Sequence, residues 1–168
     1  CRAVHPSDPA VALLALDARI EIASATATRH VDVEALFAGA ANDPAKEAQL
    51  AAGELIVAVA LSAESAGGAQ YWEKVMQRGA WDFALVSVAA CRRRDGSVRM
   101  AMGGLALRPW RVPESIEEDV ASGGLDEDSI DALVERAFYD FEPLAHNAYK
   151  RTMGQGVLKR AIGQLSVD

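Results

Sequence analysis

The sequence predicts an α+β protein in which a first segment of mixed helix and short strands precedes a three-stranded antiparallel sheet packed with three helices. Three observations carry this prediction. Residues 54–61 form an unbroken apolar run of strand length, Asp95-Gly96 separates two extended runs, and from Pro113 onward the apolar residues recur at helical spacing. The chain has 168 residues, room for one ordinary domain or two small ones. Alanine occurs 33 times and aromatics make up 6%, a composition that favours helices packed through small side chains over an aromatic β core.

Taken in order, Asp8-Pro9 opens a helix over 10–16, with Asp8 expected as its cap and proline in the first turn, where a missing N–H costs nothing. Nearly every position of that helix is apolar, so it needs cover on both sides. Arg19-Ile20-Glu21-Ile22 alternates like a half-buried strand, and 31–37 reads as a strand running into a short turn. The stretch 39–53 reads as a loop with a partial helix. The run 54–61 reads as a buried strand, and Gly67-Gly68 lies in a junction between two units.

Residues 71–78 and 82–91 then supply two strands. Arg94-Asp95-Gly96-Ser97 makes the hairpin turn, and a return strand runs from 98 to about 107. Pro113-Glu114 opens a short helix with Ile116 and Val120 on one face. Ile130, Leu133, Val134, Ala137, Phe138 and Phe141 form the stripe of a second helix, which Pro143 ends. Asn147 is the candidate cap of a third, with Met153, Val157, Leu158, Ala161, Ile162 and Leu165 as its stripe.

With 17 Lys plus Arg against 24 Asp plus Glu, the net charge of −7 argues against nucleic acid or an anionic membrane as the main partner. No apolar run approaches the roughly 18 residues that a membrane span needs. Cys1 and Cys91 have no ligand-spaced partners, so no disulfide framework or metal site is expected, and a reducing, cytoplasmic setting is the expectation. Position 1 is Cys and no signal-peptide pattern follows, which reads as a chain whose beginning lies further upstream.

Common catalytic motifs are not found. The 11 acids between Glu114 and Glu142 avoid the apolar stripes and read as a solvated face rather than a carboxylate pair for hydrolysis. Arg92, Arg93, Arg94 and Arg99 lie near the hairpin tip without interleaved aromatics, so an exposed turn is expected rather than a nucleic-acid contact. His5 and His146 read as locally hydrogen-bonded, and Cys91 as a small packed hydrophobe. Lys74 interrupts a strand beside the junction, where it is either a surface lysine or a ligand contact.

Three stretches then act together. Residues 1–18, beginning Cys1-Arg2-Ala3-Val4-His5-Pro6-Ser7-Asp8-Pro9, with Trp81-Asp82-Phe83-Ala84-Leu85-Val86-Ser87-Val88-Ala89 and Gly103-Gly104-Leu105-Ala106-Leu107-Arg108-Pro109-Trp110-Arg111, closely resemble the FAD-binding medium subunit of molybdenum hydroxylases. Xanthine dehydrogenase, aldehyde oxidoreductase and carbon monoxide dehydrogenase belong to this family. Asn147-Ala148-Tyr149-Lys150 is similar to the start of its last helix.

The resemblance implies that 1–61 is the closing part of an FAD-binding α+β subdomain and 71–168 the C-terminal domain. It implies FAD as cofactor and electron transfer from iron–sulfur clusters through FAD to NAD or another acceptor. The implied partners are an iron–sulfur small subunit with 2Fe-2S clusters and a large subunit carrying the molybdopterin cofactor. It further implies that the glycine-rich FAD loops and the strands covering the first helix lie in an N-terminal segment upstream of Cys1, so that these residues alone hold FAD poorly. Position by position, Asp8, Ile56 and Lys74 match flavin-contacting positions, and Cys1 matches a position that can ligate an extra four-iron cluster in some relatives. No residue is implied as a general base or nucleophile. The competing reading is a non-catalytic subunit-docking module without flavin, its acidic helices and basic hairpin mating with complementary surfaces.

Overall fold

The computed structural model describes residues 3–41, 43 and 45–166. Cys1 lies outside them. The chain is α+β, with two antiparallel sheets and a helix between them. Helix α1 (Asp8–Ala15) is followed by strands β1 (Arg19–Ala23) and β2 (Thr28–Asp32), helix α2 (Val33–Phe37) and strand β3 (Leu55–Ala60), which form a sheet ordered β2-β1-β3. A one-turn helix α3 (Ala63–Ala66) leads to β4 (Ala69–Val75), β5 (Val86–Arg92), β6 (Val98–Gly103) and β7 (Trp110–Arg111), a second sheet in that order. Helices α4 (Glu114–Ser122), α5 (Glu127–Ala137) and α6 (Tyr149–Ser166) complete it. The fourth strand, two residues long, was not expected, because a strand this short carries no period of its own.

Alternation divides the second sheet into two faces. Val86, Val88 and Ala90 of β5, with Val98, Met100 and Met102 of β6, form the main core with α4, α5 and α6. The opposite face is made of small side chains. Ala89 pairs with Ala101 and Ser87 with Gly103, and α1 packs there through Val11 and Leu14. A Cβ on Gly103 would come within 2.6 Å of both Val11 Cγ2 and Ser87 Oγ, so the helix seats at a depth only glycine allows. Within the chain, cover for the apolar helix comes from the downstream sheet, with α2 and β1 on its other side, and Ala12, Leu13 and Leu16 stay half-buried.

The cap of α1 also differs from expectation. Ser7, not Asp8, is the N-cap, its Oγ accepting the Ala10 N–H at 3.2 Å, and Asp8 is the first helical residue. At the other end the Ala18 N–H bonds to the Leu13 carbonyl and the Asp17 N–H to the Leu14 carbonyl, the two bonds of a Schellman cap. The left-handed position of that cap usually holds glycine; here it is Asp17, with φ 46°.

The basic residues of the hairpin turn inward. Asp17 accepts from Arg93, from Arg99 Nε at 3.1 Å and from Arg111 Nη1 at 2.6 Å. Arg92 donates to the carbonyls of Leu165, Val120 and Ala121, closing α4 and α6 over the sheet end. The tip itself, Arg94 to Gly96, is exposed as expected, but Arg93 and Arg99 fold back into a half-buried charge cluster, which no residue-spacing rule could show because the carboxylate partner lies 76 and 82 residues away. Glu117 is likewise not on a solvated face: it is 1% exposed, accepts the Met100 N–H at 2.7 Å and stands 3.6 Å from Arg99 and Arg111. Burial raises its carboxyl pKa, outweighing that bond and those two charges. For Asp17, burial pushes the pKa up, but the Arg111 hydrogen bond and the three guanidinium charges hold it below the ordinary carboxylate value.

Strand β3 is the largest departure. It was expected to be buried, yet every residue is exposed, Leu55 at 69% and Val57 at 53%. Its register with β1 contains a bulge, Ile56 lies opposite Ile22, and its other edge has no partner among the described residues. Helix α5 ends at Ala137, before Pro143, but Phe138 and Phe141 still reach the core in an aromatic cluster with Trp110. The last helix begins at Tyr149, with the Lys150 N–H bonded to the Asn147 carbonyl and its expected stripe packed in the core.

Gly103→Ala should destabilise the protein by about 1–3 kcal/mol through overpacking, seen as a lower Tm in calorimetry. Gly163→Ala, where an added Cβ meets nothing within 4 Å, should be neutral or raise Tm. Because the folded-state pKa of Asp17 is depressed, its contribution is present above the ordinary value of 3.8 and is lost as pH falls through the folded value. The stability advantage of wild type over Asp17→Asn, measured by chemical denaturation, should therefore be constant near neutrality and shrink below pH 3.8.

Candidate functional site

The seam between α1 and β4 holds the chemistry. Trp72 lies opposite Ala89 and Lys74 opposite Ser87, on the small-residue face that α1 covers, while Glu73 points the other way to Arg160 of α6. Strand alternation therefore aims Lys74 at the start of α1, where Asp8 stands in the first turn. The Lys74 ammonium donates to Asp8 Oδ2 at 2.7 Å and to the Asp82 carbonyl at 2.7 Å. Both side chains are partly screened from water, 19% exposed for Lys74 and 32% for Asp8. Freed from capping by Ser7, the Asp8 carboxylate keeps an oxygen for another donor.

Beyond this pair the chain between β4 and β5 forms a hydrogen-bonded arch. Asp82 accepts the Arg78 backbone N–H at 3.0 Å and its guanidinium at 3.4 Å, and Arg78 also donates to the Trp81 carbonyl at 2.9 Å. The backbone bond from Arg78, ahead of the guanidinium, holds the Asp82 carboxyl below its ordinary pKa. The arch carries Trp81 in the left-handed region, φ 55°, with its side chain 97% exposed and Phe83 73% exposed. Together Pro6, Asp8, Lys74, Arg78, Trp81 and Phe83 bound a cleft of about 430 Å³, within the roughly 300–1,000 Å³ of small-molecule sites.

Of the three expected contact residues, Asp8 and Lys74 are brought into direct contact at this cleft. Ile56 lies in the other sheet, 46% exposed, and does not line it. Arg78, Trp81 and Phe83 were not singled out, because strands were expected over 71–78 and 82–91; β4 ends at Val75 and β5 begins only at Val86, and Gly79-Ala80 was the signal for an arch. His5 is buried with its ring edge against Phe37 at 4.7 Å and without a hydrogen-bond partner for either ring nitrogen, so the expected local bond is not made. Burial lowers its pKa, opposed by Glu47. His146 is exposed, and Cys91 is packed as expected, its thiol 3.6 Å from the Ser65 carbonyl.

An ammonium held between a carboxylate and a carbonyl, beside two exposed aromatic rings, suits a flat, polar-edged ring system that accumulates negative charge. The donor set therefore fits the flavin end of FAD.

Comparison with known proteins gives the family. Residues 71–165 match the CO dehydrogenase flavoprotein C-terminal domain and residues 1–62 the FAD binding domain in molybdopterin dehydrogenase. The aldehyde oxidoreductase FAD-binding subunit PaoB of Escherichia coli (strain K12) is 36% identical over 165 residues, covering 98% of this chain and 49% of PaoB. The chain thus spans about half the length of that relative. Quinoline 2-oxidoreductase from Pseudomonas putida 86 superposes with a TM-score of 0.78 at 20% identity, over 98% of this chain and 57% of that one. Reconstituted CO dehydrogenase from Oligotropha carboxidovorans does so with 0.80 at 20% identity, over 95% and 56%. Those two likenesses show the shared fold, and the family match over both halves shows the lineage: the chain belongs to the FAD-binding flavoprotein subunits of the molybdenum hydroxylase family.

Proposed function

We propose that this chain is the closing part of the FAD-binding medium subunit of an aldehyde oxidoreductase or xanthine dehydrogenase type of molybdenum hydroxylase, working in the cytoplasm. The observation that carries the reading is the Asp8–Lys74 pair at the wall of the aromatic-rimmed cleft. In this reading residues 1–61 close the FAD-binding subdomain and 71–168 form the C-terminal domain, a division supported by the two matched ranges, 1–62 and 71–165.

FAD, when bound, supplies the redox chemistry between iron–sulfur clusters and NAD or another acceptor. The chain's own residues hold and tune it. Asp8 accepts a hydrogen bond from a ribose or ribityl hydroxyl. Lys74, kept in place by Asp8 and the Asp82 carbonyl, sets a positive charge where negative charge builds on reduction. Ile56 offers an aliphatic wall from the first sheet. The partners are an iron–sulfur subunit with 2Fe-2S clusters, a large subunit with the molybdopterin cofactor, and the remaining half of the flavoprotein subunit. The exposed aliphatic strand β3, with its free edge and no charge, supports a covering polypeptide over the first sheet.

The test is FAD titration of the full-length subunit. Lys74→Glu should weaken FAD binding at least about tenfold, roughly 1.4 kcal/mol, with the near-UV circular dichroism retained. An unchanged affinity would favour the docking-module reading, in which the pair serves only the seam.

A further inference from the structure

We propose that Asp17 is a positioning residue for the flavin cleft: through helix α1 it sets where Asp8 meets Lys74. The inference rests on the flavin reading of that cleft. The helix has eight residues, so its two ends stand about 12 Å apart, with Asp8 in the first turn and Asp17 just past the last. Between them α1 touches the sheet through Val11 and Leu14 on a bed of Ala89, Ala101 and Gly103. A bed of alanines and glycine lets the helix come close but offers few ridges to stop it sliding along its axis. Apolar contacts with α2 and β1 cover the other side of α1, and its charged, directional contacts to the second sheet lie at its two ends.

The N-terminal end has the His5 N–H bond to the Ala106 carbonyl at 2.8 Å and one ion pair, the one that forms the site. The C-terminal end has three. Asp17 is gripped by Arg93 of the hairpin, Arg99 of β6 and Arg111 of β7, three separate segments of the second sheet. Glu117 stands 3.6 Å behind Arg99 and Arg111 and holds the guanidiniums from the far side. Aspartate tolerates this conformation, but it is not the residue the backbone favours most. The position is the left-handed residue of a Schellman cap, where glycine fits best, and φ is 46°. What glycine could not supply is a carboxylate for three arginines. The cage therefore fixes α1 to the sheet that also carries Lys74, so both members of the site pair are referenced to one frame.

The experiment is a double-mutant cycle on FAD affinity in the full-length subunit, using wild type, Asp17→Gly, Asp8→Ala and the double variant. Asp17→Gly suits the cap and removes only the carboxylate. It is expected to weaken FAD about tenfold and to shift the visible absorption bands of bound flavin, while in the Asp8→Ala background it should change neither. A purely structural role would instead subtract the same affinity in both backgrounds. Such additivity, or wild-type affinity and spectrum in Asp17→Gly, would overturn the proposal. If Asp8→Ala alone binds FAD like wild type, it is the flavin reading of the cleft that fails. Should Asp17→Gly not fold, Asp17→Asn, which tolerates the left-handed region, carries the same cycle.

Discussion

The close seat of α1 on the second sheet is the constraint from which the other features follow. At the centre of that contact β5 and β6 offer the helix Ser87, Ala89, Ala101 and Gly103, and Gly103 leaves no space for even one added carbon. Val11 and Leu14 are 1% and 2% exposed in consequence, and burying each is worth roughly 1.5–3 kcal/mol. The larger residues of the same strands, Val88, Met100 and Met102, all point to the other face, where α4, α5 and α6 have room for them. The division of the sheet into a small-residue face and a large-residue face thus decides which helices go where. It also brings the first turn of α1 to the end of β4.

Charge is used at the two ends of that contact in different ways. At Asp17 one carboxylate meets three guanidiniums, so its charge is balanced within the protein. At Asp8 one cation faces one carboxylate beside an open cleft, so both remain available to a third group. A saturated cluster holds position, whereas a single pair at a cleft can exchange a partner without leaving a buried charge unpaired. The same contrast distinguishes Glu73, tied to Arg160 and Tyr71 on the opposite face of β4, from its neighbour Lys74.

Much of this was legible in the sequence wherever a local period or turn signal spoke for itself. The Asp95-Gly96 hairpin, the stripes of α5 and α6 and the apolar character of α1 are short-range patterns, and the elements formed where the patterns stood. Ser7 was passed over as a cap because Ser-Asp-Pro offers two cap residues in a row, and only backbone conformation decides between them. The arginines of the hairpin and Glu117 were misread for a different reason. A charged residue reads as solvated unless its partner is near in sequence, and Asp17 is 76 residues from Arg93 and 94 from Arg111. Lys74 was visible as an interruption in a strand, but its partners Asp8 and Asp82 were not.

Strand β3 shows how a sequence can be right about chemistry while the fold of one segment leaves it unmet. Leu55, Ile56, Val57 and Val59 have the composition of a strand covered on both faces, and β1 satisfies only one edge. Edge strands that face water carry lysine, proline or inward charge; this one carries none of these between Leu55 and Ala60. Its composition is therefore that of an interior strand, whereas the second sheet is covered on both faces by α1 and the three C-terminal helices. The asymmetry places the finished half of the structure behind Lys74 and the unfinished half beside Ile56.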